Sequence, residues 1–285
     1  MDGIRKTLME ANARLCVHGF KDQHWWTIKS SPTAQRDTRR TCKHYSAQMA
    51  WRTAKKDATR AFLQTQKLTR MVHVVPPVEA GVPPGYIWLV LVPVYGLGDA
   101  PAGFRADVHG AMMKRGAICV VGDPCVYLCF FLDSHGQRIL WGWIAVHVDD
   151  FECAAHPMWL EKLLGHLDSA PTMGDPEYDD YTFSGMDCRT EKDEEGILML
   201  TEGQEQYIES REEVPLTLER RRQTVSPATV AELALYRSVL GAATWGVHTH
   251  PEQAAGVSEA AQAVGKLKVS DILELNKTAR SLVLN

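Results

Sequence analysis

Residues 141–154 read WGWIAVHVDDFECA: an apolar run, two adjacent aspartates at Asp149 and Asp150, and a second short apolar run. From 139 to 148 the residues are β-branched, aromatic or small with almost no charge, the composition of a buried strand, and Asp149-Asp150 supply turn chemistry. Phe151 to Ala155 forms the returning strand, so the stretch predicts a β-hairpin with a charged pair at its turn. Two carboxylates side by side at a buried tip repel each other and raise each other's pKa, a costly arrangement unless a cation neutralises them. A divalent metal is the natural candidate. The alternative is an ordinary Asp-Asp turn with both side chains in water.

Upstream, Lys56 to Gln64 reads KDATRAFLQ, with Phe62 at the fifth position after Asp57. Tyr95-Gly96-Leu97 and Ala100-Pro101 follow, and His147 to Asp150 form an x-V-D-D box. In this order and spacing the pieces resemble the reverse transcriptase of Copia-type retrotransposons. Asn12-Ala13-Arg14-Leu15 through Gly19-Phe20-Lys21 is similar to the family's KARLVARGFK stretch, and Phe183-Ser184-Gly185-Met186 to its FLGM box. Gly196-Ile197 through Gln206-Tyr207-Ile208, and Tyr236-Arg237-Ser238-Val239-Leu240-Gly241, resemble its later GI..SQ..YI and YRS.VG pieces. The resemblance spans nearly the whole chain.

The resemblance implies an RNA-directed DNA polymerase that adds deoxynucleotides to a primer 3′-hydroxyl on an RNA or DNA template. Its two ions would be Mg2+, with Mn2+ as a substitute, held by Asp57, Asp149 and Asp150. Phe62 would lie under the incoming sugar and exclude a 2′-hydroxyl. Tyr95, Gly96 and Pro101 would form the loop and helix start beneath the templating base and nucleotide, and Arg14 and Arg36 would grip the triphosphate. The partners would be primed template and dNTPs, with no membrane, in a piece of a larger Pol polyprotein. Asn12, His18, Gly98-Asp99 and His147 depart from the family's Lys, Arg, Lys-Gln and Tyr. An alternative is therefore a catalytically inactive remnant that only binds nucleic acid. With the resemblance set aside, an acidic metal-binding interaction module remains.

Composition is consistent with these readings. The 285 residues are 45% hydrophobic and 23% charged, enough to bury a core, and no apolar run reaches the roughly 20 residues that span a bilayer. The start, MDGIRKTLMEANAR, has no signal-peptide core, so an intracellular protein is expected, cytoplasmic (in virus-like particles) or nuclear. Seven cysteines without a C-x-x-C pair read as free thiols. The net charge of −4 hides an asymmetry: residues 1–70 hold 15 Lys and Arg against 5 Asp and Glu. Interleaved with Trp25, Trp26, Tyr45 and Trp51, these cations suit a nucleic-acid groove or, more plainly, a solvated basic face.

The fold class predicted is α+β: a right-hand polymerase-like palm, an antiparallel sheet backed by helices, with basic fingers and a helical C-terminal thumb. Fingers are placed at 1–56, palm at 57–200 with an inserted segment around 64–95, and thumb at 201–285. Strands are expected at 14–20, before Asp57, and at 87–92, 118–121 and 126–132, with a further hairpin over 181–200. Helices are expected over 32–51, 101–115 and from Pro157 on the stripe Leu160, Leu163, Leu164, Leu167. Thr201 with Gln204 reads as a capping box, and Ser226-Pro227 as the start of another helix. Val72 to Gly85, with Pro76-Pro77 and Pro83-Pro84, reads as a loop excluded from any sheet centre, Pro215 to Gln223 as a linker, and Asp168 to Asp180 as a solvated acidic connection.

Overall fold

The computed structural model of the protein describes residues 15–23, 31–168 and 171–284. The fold mixes helices with antiparallel sheets and falls into two compact units, the first ending at Tyr178 and the second running from Asp179.

The first unit is built on a six-stranded sheet in the order β4-β5-β6-β7-β1-β8. Its strands are β1 (Arg52–Asp57), β4 (Ile118–Val120), β5 (Asp123–Leu132), β6 (Arg138–His147), β7 (Asp150–Ala155) and β8 (Glu177–Tyr178), all paired antiparallel. The hairpin expected at 141–154 is therefore β6 and β7, and its tip is the two-residue turn Val148-Asp149, with His147 opposite Asp150. Because side chains alternate across a strand, β7 feeds two cores. Phe151, Cys153 and Ala155 pack under helix α2 (Ala100–Lys114) and helix α3 (Leu160–Leu167), with Phe104, Val108, Met112 and all four leucines of the expected stripe buried. Ala154 joins Trp51, Val126, Trp143 and Ala145 on the other face.

That second face is covered by helix α1 (Arg36–Gln48). Its inward stripe at i, i+3, i+4 and i+7 is Arg39, Cys42, Lys43 and Ser46, polar where a packed helix is usually apolar. Each polar member has a partner on the sheet: Trp143 Nε1 donates to Ser46 Oγ (2.8 Å), and Arg39 Nε and Lys43 Nζ both reach Glu152 of β7 at 2.7 Å. The helix expected over 32–51 is shorter because Ala50 takes φ 51° and turns the chain into β1.

Two expectations near the start are corrected. In place of a strand over 14–20, the described part makes one parallel bridge, Cys16 to Tyr95, and a 3-10 turn, Gly19–Lys21. The proline-rich 72–85 is not all loop, because β2 (Val72–Val74) pairs with β3 (Trp88–Val90).

In the second unit, β9 (Asp180–Phe183), β10 (Met186–Lys192) and β11 (Leu198–Gly203) form a meander. Helices α4 (Glu205–Glu209), α5 (Leu218–Arg222), α6 (Val230–Gly246), α7 (Ala254–Ala263) and α8 (Val269–Leu284) follow. Tyr236, Ala243, Val257, Ile272, Leu275 and Leu282 make the helical core. Thr201 does not cap a helix, because it pairs with Arg189 inside the meander. The cap of α6 is Thr229, three residues beyond the expected Ser226, in a reciprocal box with Glu232. The expected linker 215–223 contains α5, and its Arg220 is taken up by Glu232 at 2.8 Å.

Candidate active site

The site begins with strand register. Asp57, last residue of β1, lies opposite Asp150, first residue of β7, and the next amide, Ala58 N, donates to the Asp149 carbonyl at 2.7 Å. Asp57, Asp149 and Asp150 thus meet at one end of the sheet although the first stands more than ninety positions before the others. Directly opposed residues share a face, which sets the Asp57 and Asp150 carboxyls side by side at the strand ends. Two neighbouring carboxylates favour a proton or a cation between them. Burial, then the hydrogen bond to Asp57, pushes the Asp150 carboxyl up to about 7, while the hydrogen bond from Asp150 holds Asp57 below its ordinary value. Asp150 is the less exposed of the two, 28% against 52%, in keeping with the greater effect of burial on it.

A cation of the chain already stands beside this pair. Lys55, two residues before Asp57 on the same face of β1, places Nζ 3.2 Å from Asp57 Oδ1, 3.7 Å from Asp150 Oδ1 and 3.6 Å from Glu177 Oε1 of β8. Burial alone would lower its pKa, and the charges of Asp150, Asp57 and Glu177 outweigh that and raise it. Glu152 follows deeper on the same face, 0% exposed, clasped by Arg39 and Lys43. His147, before the turn, is held below its ordinary pKa by burial and then by the charge of Arg39.

The turn itself is strained. Val148 has φ 59°, the positive value that the first central position of a type II′ turn demands and that glycine ordinarily supplies. For a β-branched residue this is a genuine outlier. Val148 is retained there by packing against the main core.

The remaining predicted site residues form a second group. Phe62 lies in a short 3-10 turn, Ala61–Gln64, 9% exposed, with its ring centroid 5.0 Å from Tyr95 and 6.3 Å from Phe104. Tyr95 accepts a hydrogen bond from Val17 N at 2.8 Å. Gly96, at φ 93°, lets the backbones touch: a Cβ there would fall 2.0 Å from the Val17 oxygen. Pro101 sits in the first turn of α2, whose Phe104 touches Phe62. Arg36 opens α1, just after Ala34, whose amide bonds the Val146 carbonyl near the tip. Arg14 lies outside the described residues, as do Trp25 and Trp26. Phe62 and Tyr95 thus pack on each other in the main core, and Arg36 Nε lies 3.9 Å from Asp37 Oδ1 within α1.

Lys55 and Glu177 are the participants that the sequence reading missed. The i, i+2 spacing of Lys55 and Asp57 was available as a signal. Glu177 had none, because it sits on a two-residue strand in the acidic stretch read as solvated, where Asp168 also turns out to hold Lys56. The negative charge at Asp99 is likewise answered, by Arg70 at 3.0 Å, which also holds Asp22.

No protein-family model matches the sequence, and no curated protein matches it. Among solved structures, the chain is similar to a foamy viral protease-reverse transcriptase in complex with double-stranded DNA, at 17% identity and a TM-score of 0.42. That match covers 82% of this chain and 35% of the viral one.

Proposed function

We propose that the chain is an RNA-directed DNA polymerase of the Copia-retrotransposon kind, transferring a nucleotidyl group to a primer 3′-hydroxyl. The observation that carries this reading is the Asp57–Asp150 carboxyl pair, set directly opposite each other on two adjacent strands with Asp149 in the turn beside it. The donors are carboxylate oxygens, and Mg2+ or Mn2+ fits such a set better than a soft metal does. Two such ions, when bound, would lower the pKa of the attacking hydroxyl and neutralise the triphosphate and leaving pyrophosphate. Asp57, Asp149 and Asp150 would hold them.

The chain's other groups position the reactants. In this reading the six-stranded sheet is the palm, α1 with β2 and β3 belongs to the fingers, and the helices after about residue 200 are the thumb. The Phe62–Tyr95 pair forms a rigid floor beside the nucleotide, the phenylalanine ring standing against a ribose 2′-hydroxyl. Arg36 binds triphosphate, and the turn strain at Val148 fixes Asp149 and Asp150 in one orientation.

One observation favours a second reading, a remnant that binds nucleic acid without polymerising: the Lys55 ammonium already neutralises the carboxylates. Primer extension on RNA and DNA templates with dNTPs and Mg2+ or Mn2+ separates the two. Extension that disappears in Asp150→Asn sustains the polymerase. Template binding without extension by the natural chain sustains the remnant.

A further inference from the structure

The ion pairs of the first unit fall into two kinds. Arg39 and Lys43 hold Glu152 at 2.7 Å, within the range of a formed charge-assisted hydrogen bond, and both cations are buried. Lys55 instead stands 3.2, 3.7 and 3.6 Å from three carboxylates on three neighbouring strands. It is a shared charge, within hydrogen-bond range of Asp57 alone and paired with the other two only through space. A lysine suits that place because its ammonium is a point charge on a flexible four-carbon stem, free to move without matching a planar acceptor. Glu177, directly opposite Lys55 in register and 51% exposed, lies on the side of β1 away from Asp150.

Resting on the metal-dependent reading above, we propose that Lys55 is a resident counter-cation that must leave the Asp57–Asp150 pair for a divalent ion to enter, and that Glu177 receives its ammonium when it does. A divalent ion held by these oxygens would face the ammonium across a few ångströms with no phosphate between them, and that repulsion favours the state in which Lys55 has moved. The lysine therefore weakens intrinsic metal affinity while keeping the carboxylates from repelling each other in the metal-free chain. Glu177 offsets part of that loss by offering the displaced charge a partner.

Mn2+ binding to the full chain, read from the electron paramagnetic resonance signal of the free ion, tests this without any turnover. Lys55→Met, which keeps the apolar stem and removes the charge, is expected to bind Mn2+ about tenfold more tightly than the natural chain, the scale of one partly screened charge at this distance. Its melting temperature should also rise more on adding Mn2+. Glu177→Gln should bind about threefold more weakly, and by less than twofold when combined with Lys55→Met, since no ammonium then needs a partner. Equal or weaker Mn2+ binding by folded Lys55→Met, with Asp150→Asn still reducing it, would overturn the role of the lysine and leave the metal site standing. Absence of Mn2+ binding in the natural chain and in Lys55→Met alike would overturn the metal site and the inference with it. Should Lys55→Met not fold, Glu177→Gln decides: weaker binding sustains the inference, and unchanged binding ends it.

Discussion

Val148 holds a backbone angle that its side chain opposes, and its packing against the core is what it gains in return. That exchange can be measured, because alanine and glycine lose the packing equally while glycine alone relieves the backbone. A left-handed non-glycine residue costs about 1–3 kcal/mol, against roughly 0.5–1 kcal/mol for the extra entropy of an unfolded glycine. Val148→Gly should therefore be more stable than Val148→Ala by about 1 kcal/mol in denaturant unfolding, reversing the order usual within a strand or helix. If alanine is the more stable, the turn carries no strain. Phe62 poses a similar choice between packing and selection. Its burial against Tyr95 and Phe104 predicts that Phe62→Ala costs about 3–5 kcal/mol. The proposed sugar contact predicts in addition that the folded fraction incorporates ribonucleotides more readily relative to deoxynucleotides. An unchanged ratio in a folded, active variant would leave Phe62 a core residue only. At this scale the aspartates could be found from sequence because they lie in short distinctive boxes. For Lys55 the only local signal is its i, i+2 spacing to Asp57, since Asp150 and Glu177 come from two strands that flank β1.

Helix α1 shows what happens when an element's charge is judged without its neighbours. Counted along the chain, Arg39 and Lys43 belong to a basic face suited to phosphates, whereas in the fold both are buried and bound to Glu152 of β7. Glu152 is the hinge of this arrangement. Burial alone would push its carboxyl up, but the charges of Lys43 and Arg39 and their hydrogen bonds outweigh that and bring it down to about 2 from an ordinary 4.5. The depressed value fixes the sign: the contribution is whole above pH 4.5 and is lost as pH falls toward 2, where the unfolded chain takes up a proton that the folded one resists. Glu152→Gln leaves two buried cations without their carboxylate and should cost about 3–5 kcal/mol at neutral pH. The gap between natural chain and variant should then narrow between pH 4.5 and 3 in urea melts; a constant gap would mean that the clasp contributes by packing rather than by charge. Elements with a clear apolar period, such as α3 and the β6–β7 pair, were predictable because burial follows the period. Caps were not, because the same S/T-x-x-E/Q spacing occurs at Thr201 and at Thr229, and only strand pairing decides that the first lies in β11.

Over the whole molecule the residues of the proposed site fall in one unit. Asp57, Asp149, Asp150, Lys55 and Glu177 all precede Asp179, and the helical core of Tyr236, Ile272, Leu275 and Leu282 belongs entirely to the second unit. The charge asymmetry between the first 70 residues and the rest is evident from composition, but the pairing of its cations inside the fold is not. Arg39, Lys43, Lys56 and Arg70 each answer a carboxylate of the chain itself, and pairings between residues 29 to 113 positions apart have no trace in local sequence. The division into units yields a prediction that does not depend on polymerase activity. Leu275 is fully buried in α8, so Leu275→Ala should destabilise the second unit by about 2–5 kcal/mol. Every proposed metal ligand and the competing ammonium lie elsewhere, so Mn2+ affinity in that variant should stay within about twofold of the natural chain wherever both are folded, as independent sites require. Circular dichroism melts and Mn2+ titrations on the same samples make the comparison. A loss of affinity running parallel to the loss of stability would mean that the second unit supports the geometry of Asp57 and Asp150, and that the site depends on more of the chain than the five residues named.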